Sequence, residues 1–503
     1  MRGVRHNDYG TLAPPVLGSW RPGLRVSVVI PVYNDHEALG QTLAALAKQT
    51  YPAGLTEIIV ADDGSEPPVD VASGARVVRV REGWGRGNAR QTGADAATGD
   101  VIHWLDADMI LAEDHLEAHM RWHHVLPYAV VIGDTRFVEA LGEEGSRTAY
   151  TTKTLAATRM LRDAGTSAYL LHTGASSSVP AALLRTAGGV DVSLNMAEDT
   201  ELGYRLAQAG AVFIPEPLAV GRHVGPSTVM LREKEVHRHN WSYLGDLIPE
   251  LRWLRTHPRR QWLVPYVQVV TEASGYEATR ATVDSALAGT VSDTAVTIVG
   301  PWDTLNSGRR SSLDDPQLDL RLVHNLYAHE PRVTFALSAP SLPVSTPFVL
   351  RVPAGWSLGA DALSSLVRQA ERDTLGLVSI ALAETASGVV SARLERTAAF
   401  ARARLVAGCA DGATVDDLVD ELFGAVWVSG AEFGFVPADE AEPSAGDPAK
   451  WRALAAERAA EAKGLRAEVA RLTAELATLA DSPQEDTKSG PISSLMRHLR
   501  SAG

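Results

Sequence analysis

The clearest periodic signal begins at Val26, where VSVVIPV is an almost unbroken β-branched run, as expected of a parallel-sheet strand covered on both faces. After Tyr33-Asn34-Asp35, the apolar residues Ala38, Leu39, Leu43, Leu46 and Ala47 fall at helical spacing. Ile58-Ile59-Val60 reads as a second strand running into Asp62-Asp63-Gly64-Ser65, and Val77-Val78-Arg79-Val80 as a third. The Gly-rich stretch EGWGRGNARQTGADAATGD starts as loop and continues as helix, and Val101-Ile102-His103-Trp104-Leu105 is a strand ending at Asp106-Ala107-Asp108. Strand or loop is expected around Thr173-Gly174-Ala175-Ser176-Ser177, a helix over 197–210 with a Gly stop, and a return to the sheet edge over 213–223. Strands alternating with helices predict an α/β fold, mostly parallel sheet flanked by helices, whose ligands bind outside the carboxyl ends of the strands.

Beyond about Pro258 the pattern starts again. Residues 267–290 (VQVVTEASGYEATRATVDSALAGT) repeat the apolar run, loop and helix of residues 28–50, with Glu37, Ala38, Thr42 and Thr50 matched without a gap by Glu277, Ala278, Thr282 and Thr290. Thr297-Ile298-Val299-Gly300 echoes Ile58-Ile59-Val60-Ala61, and FVLRVPAGWSLGADALSSL echoes VIHWLDADMILAEDHLEAH. The echo fails at the acids: Pro301 and Trp302 stand for Asp62 and Asp63, and Pro353 and Gly355 for Asp106 and Asp108. The expectation is a second α/β copy that has lost its polar groups; the alternative is chance likeness between two strand-helix patterns.

The expected organisation is an N-terminal arm over 1–25, a catalytic domain over 26–257, a degenerate second domain over 258–436 and an acidic linker over 437–450. Over 451–480, Trp451, Ala455, Arg458, Ala462, Leu465, Val469, Leu472, Leu476 and Leu479 alternate spacings of four and three. That seam predicts a short coiled coil and a homodimer through it, with an intramolecular docking helix as the alternative. The polar tail over 481–503 ends in ISSLMRHLRSAG, basic enough to touch an anionic membrane face and too short to span one. The arm is polar, punctuated by Gly and Pro, and lacks the continuous apolar stretch of a signal peptide.

Composition narrows the choice of partners. A length of 503 residues allows about three units, and 45% apolar with 21% charged residues is ordinary for a folded chain. Lys+Arg 47 against Asp+Glu 61 gives a net charge of -14, which repels a nucleic-acid backbone. With one cysteine, Cys409, no internal disulfide can form, which points to the cytoplasm, and the basic tail adds the inner face of the membrane as an expected location there.

The candidate chemistry lies at strand and helix ends of the first half. Asp106 and Asp108, two apart after an apolar strand, face one side and converge on a point where a divalent cation would relieve their repulsion. His223, flanked by Gly221 and Gly225, is the candidate third ligand, and imidazole beside carboxylate favours Mn2+ over Mg2+. Glu198 and Asp199 open a predicted helix whose dipole stabilises an ionised carboxylate, suited either to general-base work or to plain helix capping. Gly85-Arg86-Gly87-Asn88-Ala89-Arg90 places two guanidinium groups at a helix start, a setting for a diphosphate or a nucleobase.

Taken in order, VSVVIPVYNDHEALGQTLAALAKQTYP, IIVADDGS, GRGNARQTGADAATGDVIHWLDADM and MAEDTELGYRLAQAG closely resemble the family 2 glycosyltransferases. EDTELGYRL followed by a histidine is most similar to the galactosyl- and N-acetylgalactosaminyltransferase branch. The resemblance runs from about Val26 to Gly225 and implies a GT-A-type nucleotide-diphospho-sugar transferase fold with Mn2+ or Mg2+ at Asp-x-Asp. It implies that Pro31, Tyr33 and Asp62-Asp63 line the nucleoside pocket, with Asp63 or Asp62 reading the base and Arg90 in support. Asp106 would lie near the ribose or sugar, Asp108 and His223 would hold the cation, Asp199 would be the catalytic base, and Glu198 would help position the acceptor. Gln91 departs from the family's usual Asn, and no Gln-x-x-Arg-Trp signature of processive polymerases is present.

The expected function is therefore a metal-dependent, inverting transfer of a hexose or N-acetylhexosamine from a nucleotide-diphosphate sugar, UDP-linked by family preference. The acceptor is a glycan, lipid-linked or small-molecule hydroxyl, as in polysaccharide or cell-envelope biosynthesis. A sugar nucleotidyltransferase would need a Gly-rich, basic triphosphate loop after the first strand, where Pro31-Val32-Tyr33-Asn34 stands instead. A noncatalytic assembly scaffold would have no use for the acids of the first half.

Overall fold

The computed structural model describes residues 3–71, 74–139, 142–257, 260–305, 311, 313–340, 345–386, 388–408, 412–439 and 471. The first half builds β1 (Val26–Val32), α1 (His36–Leu46), β2 (Thr56–Asp62), β3 (Arg76–Arg79), α2 (Arg86–Ala96), β4 (Val101–Leu105), β5 (Met109–Leu111) and α3 (His115–Val125). It continues with β6 (Ala129–Val138), α4 (Ala149–Ala157), β7 (Ser176–Pro180), α5 (Ala181–Thr186), α6 (Glu198–Gln208), β8 (Val212–Val224) and α7 (Thr228–Leu247).

All seven residues of β1 are buried, as the unbroken apolar run requires of a strand covered on both faces. Val26, Val28, Ile30 and Val32 join one core cluster with Leu39 and Leu46 of α1 and Leu116 and Met120 of α3. Val29 turns to the other cluster, with Leu202, Tyr204 and Leu206 of α6. On that face α2 lies so close that a Cβ at Gly93 would come within 2.3 Å of Val29 Cγ1, so only glycine permits the approach. The helix α1 starts where Asp35 accepts a hydrogen bond from the Ala38 N–H at 3.3 Å, an ordinary N-cap.

The first sheet has the order β3-β2-β1-β4-β7-β6-β8-β5. Strands β3, β2, β1 and β4 are mutually parallel, β7 is antiparallel to β4 and β6, and β8 is parallel to β6. The parallel part is the scaffold of strand ends foreseen from the sequence.

The second half builds β9 (Val267–Glu272), α8 (Tyr276–Leu287), β10 (Thr294–Val299), α9 (Leu318–Tyr327), β11 (Val333–Ala336), β12 (Phe348–Arg351), β13 (Trp356–Leu358) and α10 (Ala362–Arg372). It ends with β14 (Leu377–Thr385), β15 (Gly388–Arg396), α11 (Thr397–Ala407), α12 (Gly412–Leu422), β16 (Ala425–Ser429) and β17 (Phe435–Pro437). Its sheet has the order β11-β10-β9-β12-β15-β14-β16, with the same alternation of parallel and antiparallel pairs as the first seven strands of the other sheet. Register agrees as well: Val26 lies opposite Thr56 and Val101, and Val267 lies opposite Thr294 and Phe348.

The arm before β1 is bound to the body. Val4 and Asn7 are buried, and Asn7 exchanges hydrogen bonds of 2.9 Å with Phe213 through its side-chain N–H and C=O. Arm and halves meet at Arg402 of α11, whose guanidinium donates to the carbonyls of Gly210 (2.9 Å), Ala211 (2.6 Å), Val4 (3.2 Å) and His6. The predicted linker beyond 439, the heptad seam (Arg471 apart) and the basic tail lie outside the described residues, as does Cys409. Among the described residues no helix is long and apolar enough to cross a membrane.

Candidate functional site

A cleft of about 850 Å3 opens at the carboxyl edge of the first sheet, lined among others by Pro31, Tyr33, Asp63, Arg90, Asp106, Asp108, Asp199 and His223. Eight of the ten residues singled out from the sequence therefore share one wall. The other two, Asp62 and Glu198, lie behind it.

Asp62 ends β2 with its side chain 1% exposed, accepting from the N–H groups of Ser65 (2.8 Å) and Val69 (3.4 Å). Burial pushes its pKa up, but these hydrogen bonds, with Arg79 at 4.0 Å, hold it below the ordinary carboxylate value. Its work is to fold the loop after β2. Asp63, one residue on, points the other way: Oδ2 accepts from Gly85 N–H at 2.8 Å, while Oδ1 is buried without a hydrogen-bond partner. Burial raises the Asp63 pKa. An orphaned acceptor on the cleft wall suits a ligand that brings an N–H or O–H.

Arg90 comes from the first turns of α2, fully buried, and donates to Asp106 Oδ1 at 2.7 Å and to Glu198 Oε1. Burial disfavours its charge, but Glu198 and Asp106 outweigh it and raise its pKa. A Cβ at position 174 would collide with the guanidinium at 2.1 Å, so Gly174 is the residue that leaves Arg90 its space. Burial raises the Glu198 pKa, opposed by Arg90. Glu198 thus serves as the anchor of Arg90, and the structure does not bring it to the cleft wall.

His223 stands beside Asp108 because β5 pairs with β8: Met109 lies opposite His223, and Val224 N–H donates to the Asp108 carbonyl at 3.2 Å. His223 Nε2 is 3.3 Å from Asp108 Oδ2, and its Nδ1 is 3.1 Å from the Gly225 carbonyl, which assigns the N–H to Nδ1 and leaves Nε2 bare. One potential ligand atom each from Asp106, Asp108 and His223 lie within 4.8 Å of one another. Asp108 Oδ1 is buried with no hydrogen-bond partner, and burial, with Asp106 adding its charge, raises the Asp108 pKa. A donor set of two carboxylates and a bare imidazole nitrogen with one orphaned oxygen fits a divalent cation.

Asp199 lies in the first turn of α6 with Glu198 and Glu201, where the helix dipole favours negative charge. The chain reaches it through Ala197 in the left-handed region at φ 65, a conformation costing about 1 kcal/mol for a non-glycine residue. Its Oδ1 accepts from Thr200 N–H at 2.7 Å and Oδ2 from Gly174 N–H at 3.3 Å. The capping alternative describes one of these bonds, since Oδ1 satisfies a first-turn N–H, while Oδ2 reaches across to Gly174.

Sequence reading missed part of the wall. His172, buried, approaches the Asp199 carbonyl through Nδ1 at 2.7 Å and so anchors the start of α6; burial lowers its pKa. Asp134 carries ion pairs to Arg136 and Arg147, and Glu216 one to Arg121 at 2.6 Å. These residues lie between the recognisable motifs with no spacing to mark them; a buried acid's need for a partner shows only in three dimensions.

Residues 27–175 match the family Glycosyl transferase family 2. The chain is 32% identical over 212 residues to a pre-mycofactocin glycosyltransferase of Mycobacterium tuberculosis, covering 39% of this chain and 42% of the relative. It is 39% identical over 97 residues to an undecaprenyl-phosphate 4-deoxy-4-formamido-L-arabinose transferase of Pectobacterium atrosepticum, covering 17% of this chain and 29% of that one. The chain thus spans less than half the length of these relatives. Among solved structures it is similar to a mannosyltransferase of Pyrobaculum calidifontis in complex with GDP-Man and Mn2+, at 20% identity, with a TM-score of 0.36 over 46% of this chain and 66% of that one.

Proposed function

We propose, for a chain that carries a glycosyl transferase family 2 domain of GT-A type over residues 27–175, that the cleft transfers a hexose or N-acetylhexosamine from a nucleotide-diphosphate sugar to an acceptor hydroxyl with inversion. The observation that supports this most is the convergence of Asp63, Arg90, Asp106, Asp108, His223 and Asp199 on one cleft from five separate stretches of the chain. The donor is uridine-linked in this reading, and the product belongs to polysaccharide, glycoconjugate or cell-envelope assembly, on a glycan, lipid-linked or small-molecule acceptor.

Asp63 takes a donor group of the base with its free Oδ1, while Pro31 and Tyr33 form the side of the nucleoside pocket. Arg90, held by Glu198, fixes the Asp106 carboxylate toward the ribose or sugar. Asp108 and His223 would hold Mn2+ or Mg2+, which when bound supplies positive charge to the leaving diphosphate. Asp199, in the first turn of α6, takes the proton of the acceptor hydroxyl as that oxygen attacks the anomeric carbon. One displacement inverts the configuration.

The second sheet, in the same reading, is a degenerate copy of the first that supports the catalytic half or positions the acceptor, and the arm to residue 25 ties the two together. A screen of sugar nucleotides for Mn2+-dependent release of nucleoside diphosphate, with product anomer read by NMR, tests the function. Turnover with one donor and an inverted product is expected; no release from any donor in the presence of acceptor pools would sink the reading.

A further inference from the structure

The face of β4 that turns away from Arg90 carries a second group of metal-ligating side chains that the cleft does not use. His103 of β4 meets His115 and His119 of α3, which sit four residues apart and therefore on one helix face. All three are 0% exposed, with ring centroids 4.5 to 5.3 Å apart.

Their hydrogen bonds leave one of the three rings unserved. Neither nitrogen of His103 has a partner. His115 Nδ1 lies 3.0 Å from the Val220 carbonyl, so it carries the N–H and leaves Nε2 bare. That Nε2 is 3.1 Å from Ser176 Oγ, and His119 Nε2 is 3.4 Å from the same oxygen. That hydroxyl can donate to His115 Nε2 and accept from an N–H on His119 Nε2. Ser178 Oγ does the same, donating to His119 Nδ1 at 2.9 Å and accepting from His123 Nε2 at 2.7 Å. What is left unmet is His103, buried between the other two rings with both nitrogens unpartnered, and a cation would take up its lone pair.

We propose that His103, His115 and His119 form a structural site for a divalent transition-metal ion, Zn2+ by preference, separate from the Asp108–His223 pair. One nitrogen from each lies within 4.8 Å of the others, against about 3.3 Å between the ligands of tetrahedral zinc at ordinary bond lengths, so binding would draw the three rings together. Imidazole nitrogens select zinc-type ions, whereas the carboxylate-rich cleft site selects Mn2+ or Mg2+, so the two sites differ in chemistry. Ser176 Oγ stands where a fourth ligand belongs. At position 133 a Cβ would come within 2.2 Å of Ser176 Oγ and 3.0 Å of His119 Nε2, so Gly133 keeps this space open. Gly133 also lines the cleft, which puts the ion just behind the floor of the donor site. There it ties α3 to β4, the strand that delivers Asp106 and Asp108.

The test uses the full chain produced in zinc-supplemented medium and dialysed against EDTA, with metal measured by mass spectrometry. About one zinc per chain is expected; Asp108→Ala keeps it, and His119→Gln, which preserves polar contact to the serines, loses it. Chain produced in cobalt medium should show the visible absorption of a tetrahedral nitrogen site, absent in His119→Gln. A folded wild-type chain without transition metal under both regimes overturns the proposal. So does zinc that vanishes with Asp108→Ala and survives His119→Gln, since that metal belongs to the cleft. Neither result depends on whether sugar transfer is the chain's activity.

Discussion

The two sheets carry seven strands in the same order, polarity and starting register, and Thr42 and Thr282 occupy matching posts on their first helices. Thr42 Oγ1 donates to the Ala107 carbonyl at 2.6 Å and accepts from Met109 N–H at 3.1 Å; Thr282 Oγ1 donates to Trp356 O at 2.9 Å and accepts from Trp356 N–H at 3.2 Å. Yet at the strand ends the halves part. Where Met109 faces His223, Trp356 faces Pro437, so the imidazole of one half is a ring without a donor atom in the other. Where Asp63 opens toward the cleft, Trp302 folds back, its Nε1 donating to Ile298 O at 3.0 Å and its ring 4.7 Å from Phe335. The same seven-stranded order holds in a half without acids at the positions matching Asp62, Asp63, Asp106 and Asp108, so that order does not depend on them.

The sharpest way to break the comparison is to remove the chemistry from the half that has it. Asp199→Asn should lower transfer by about 10^2 to 10^4-fold with nucleotide binding retained, whereas Asp108→Ala should abolish transfer together with metal-dependent nucleotide binding. Turnover kinetics and calorimetric titration of nucleoside diphosphate separate the two. If Asp199→Asn keeps most of its turnover, the base is elsewhere.

Next in size is the joint between the halves. Arg402→Met strips four carbonyls of their donor and should cost about 3 kcal/mol, read by urea unfolding, with the two halves separating into two transitions. A single, unshifted transition would mean that the halves do not depend on this residue.

Glu250 tests the same joint through pH. Burial, with Glu371 of the second half adding and Arg396 opposing, pushes its pKa up to about 7. The folded chain therefore holds a proton on Glu250 that the unfolded chain releases above the ordinary glutamate value. Its contribution is full at low pH and is lost as pH rises through about 7. Glu250→Gln should raise stability at pH 8 by up to about 3 kcal/mol, less any solvent screening, and leave it little changed at pH 5. Equal gains at both pH values would contradict the assignment.

The smallest effect sharpens the comparison most. Thr42→Val and Thr282→Val should each cost about 1 to 2 kcal/mol of stability, since both remove a buried double hydrogen bond. Only Thr42→Val should also raise the KM for donor, because Ala107 sits between Asp106 and Asp108. A KM shift in both would give the second sheet a part in donor binding.

Much of this was legible one residue at a time. The run from Val26, the helix spacing after Asp35 and the acids at strand ends follow from burial and local periodicity, and they led to the cleft wall. The roles of Asp62 and Glu198 were not legible. In each acidic pair, Asp62-Asp63 and Glu198-Asp199, neighbouring side chains point to different surroundings, and only packing shows which one meets the cleft. The histidines at 103, 115 and 119 drew no notice in the sequence, because their meeting needs α3 laid across β4.

The sequence alone determined the alternation of strands and helices, the placing of carboxylates at strand and helix ends, and the echo between the halves, because each depends on residues a few positions apart. Tertiary structure decided that His223 reaches Asp108 across more than a hundred residues, that Arg90 bridges Asp106 and Glu198, and that Arg402 closes the arm and both halves together. Those contacts are set by strand pairing and by the demand of buried charges and carbonyls for partners, and neither can be read from a local window.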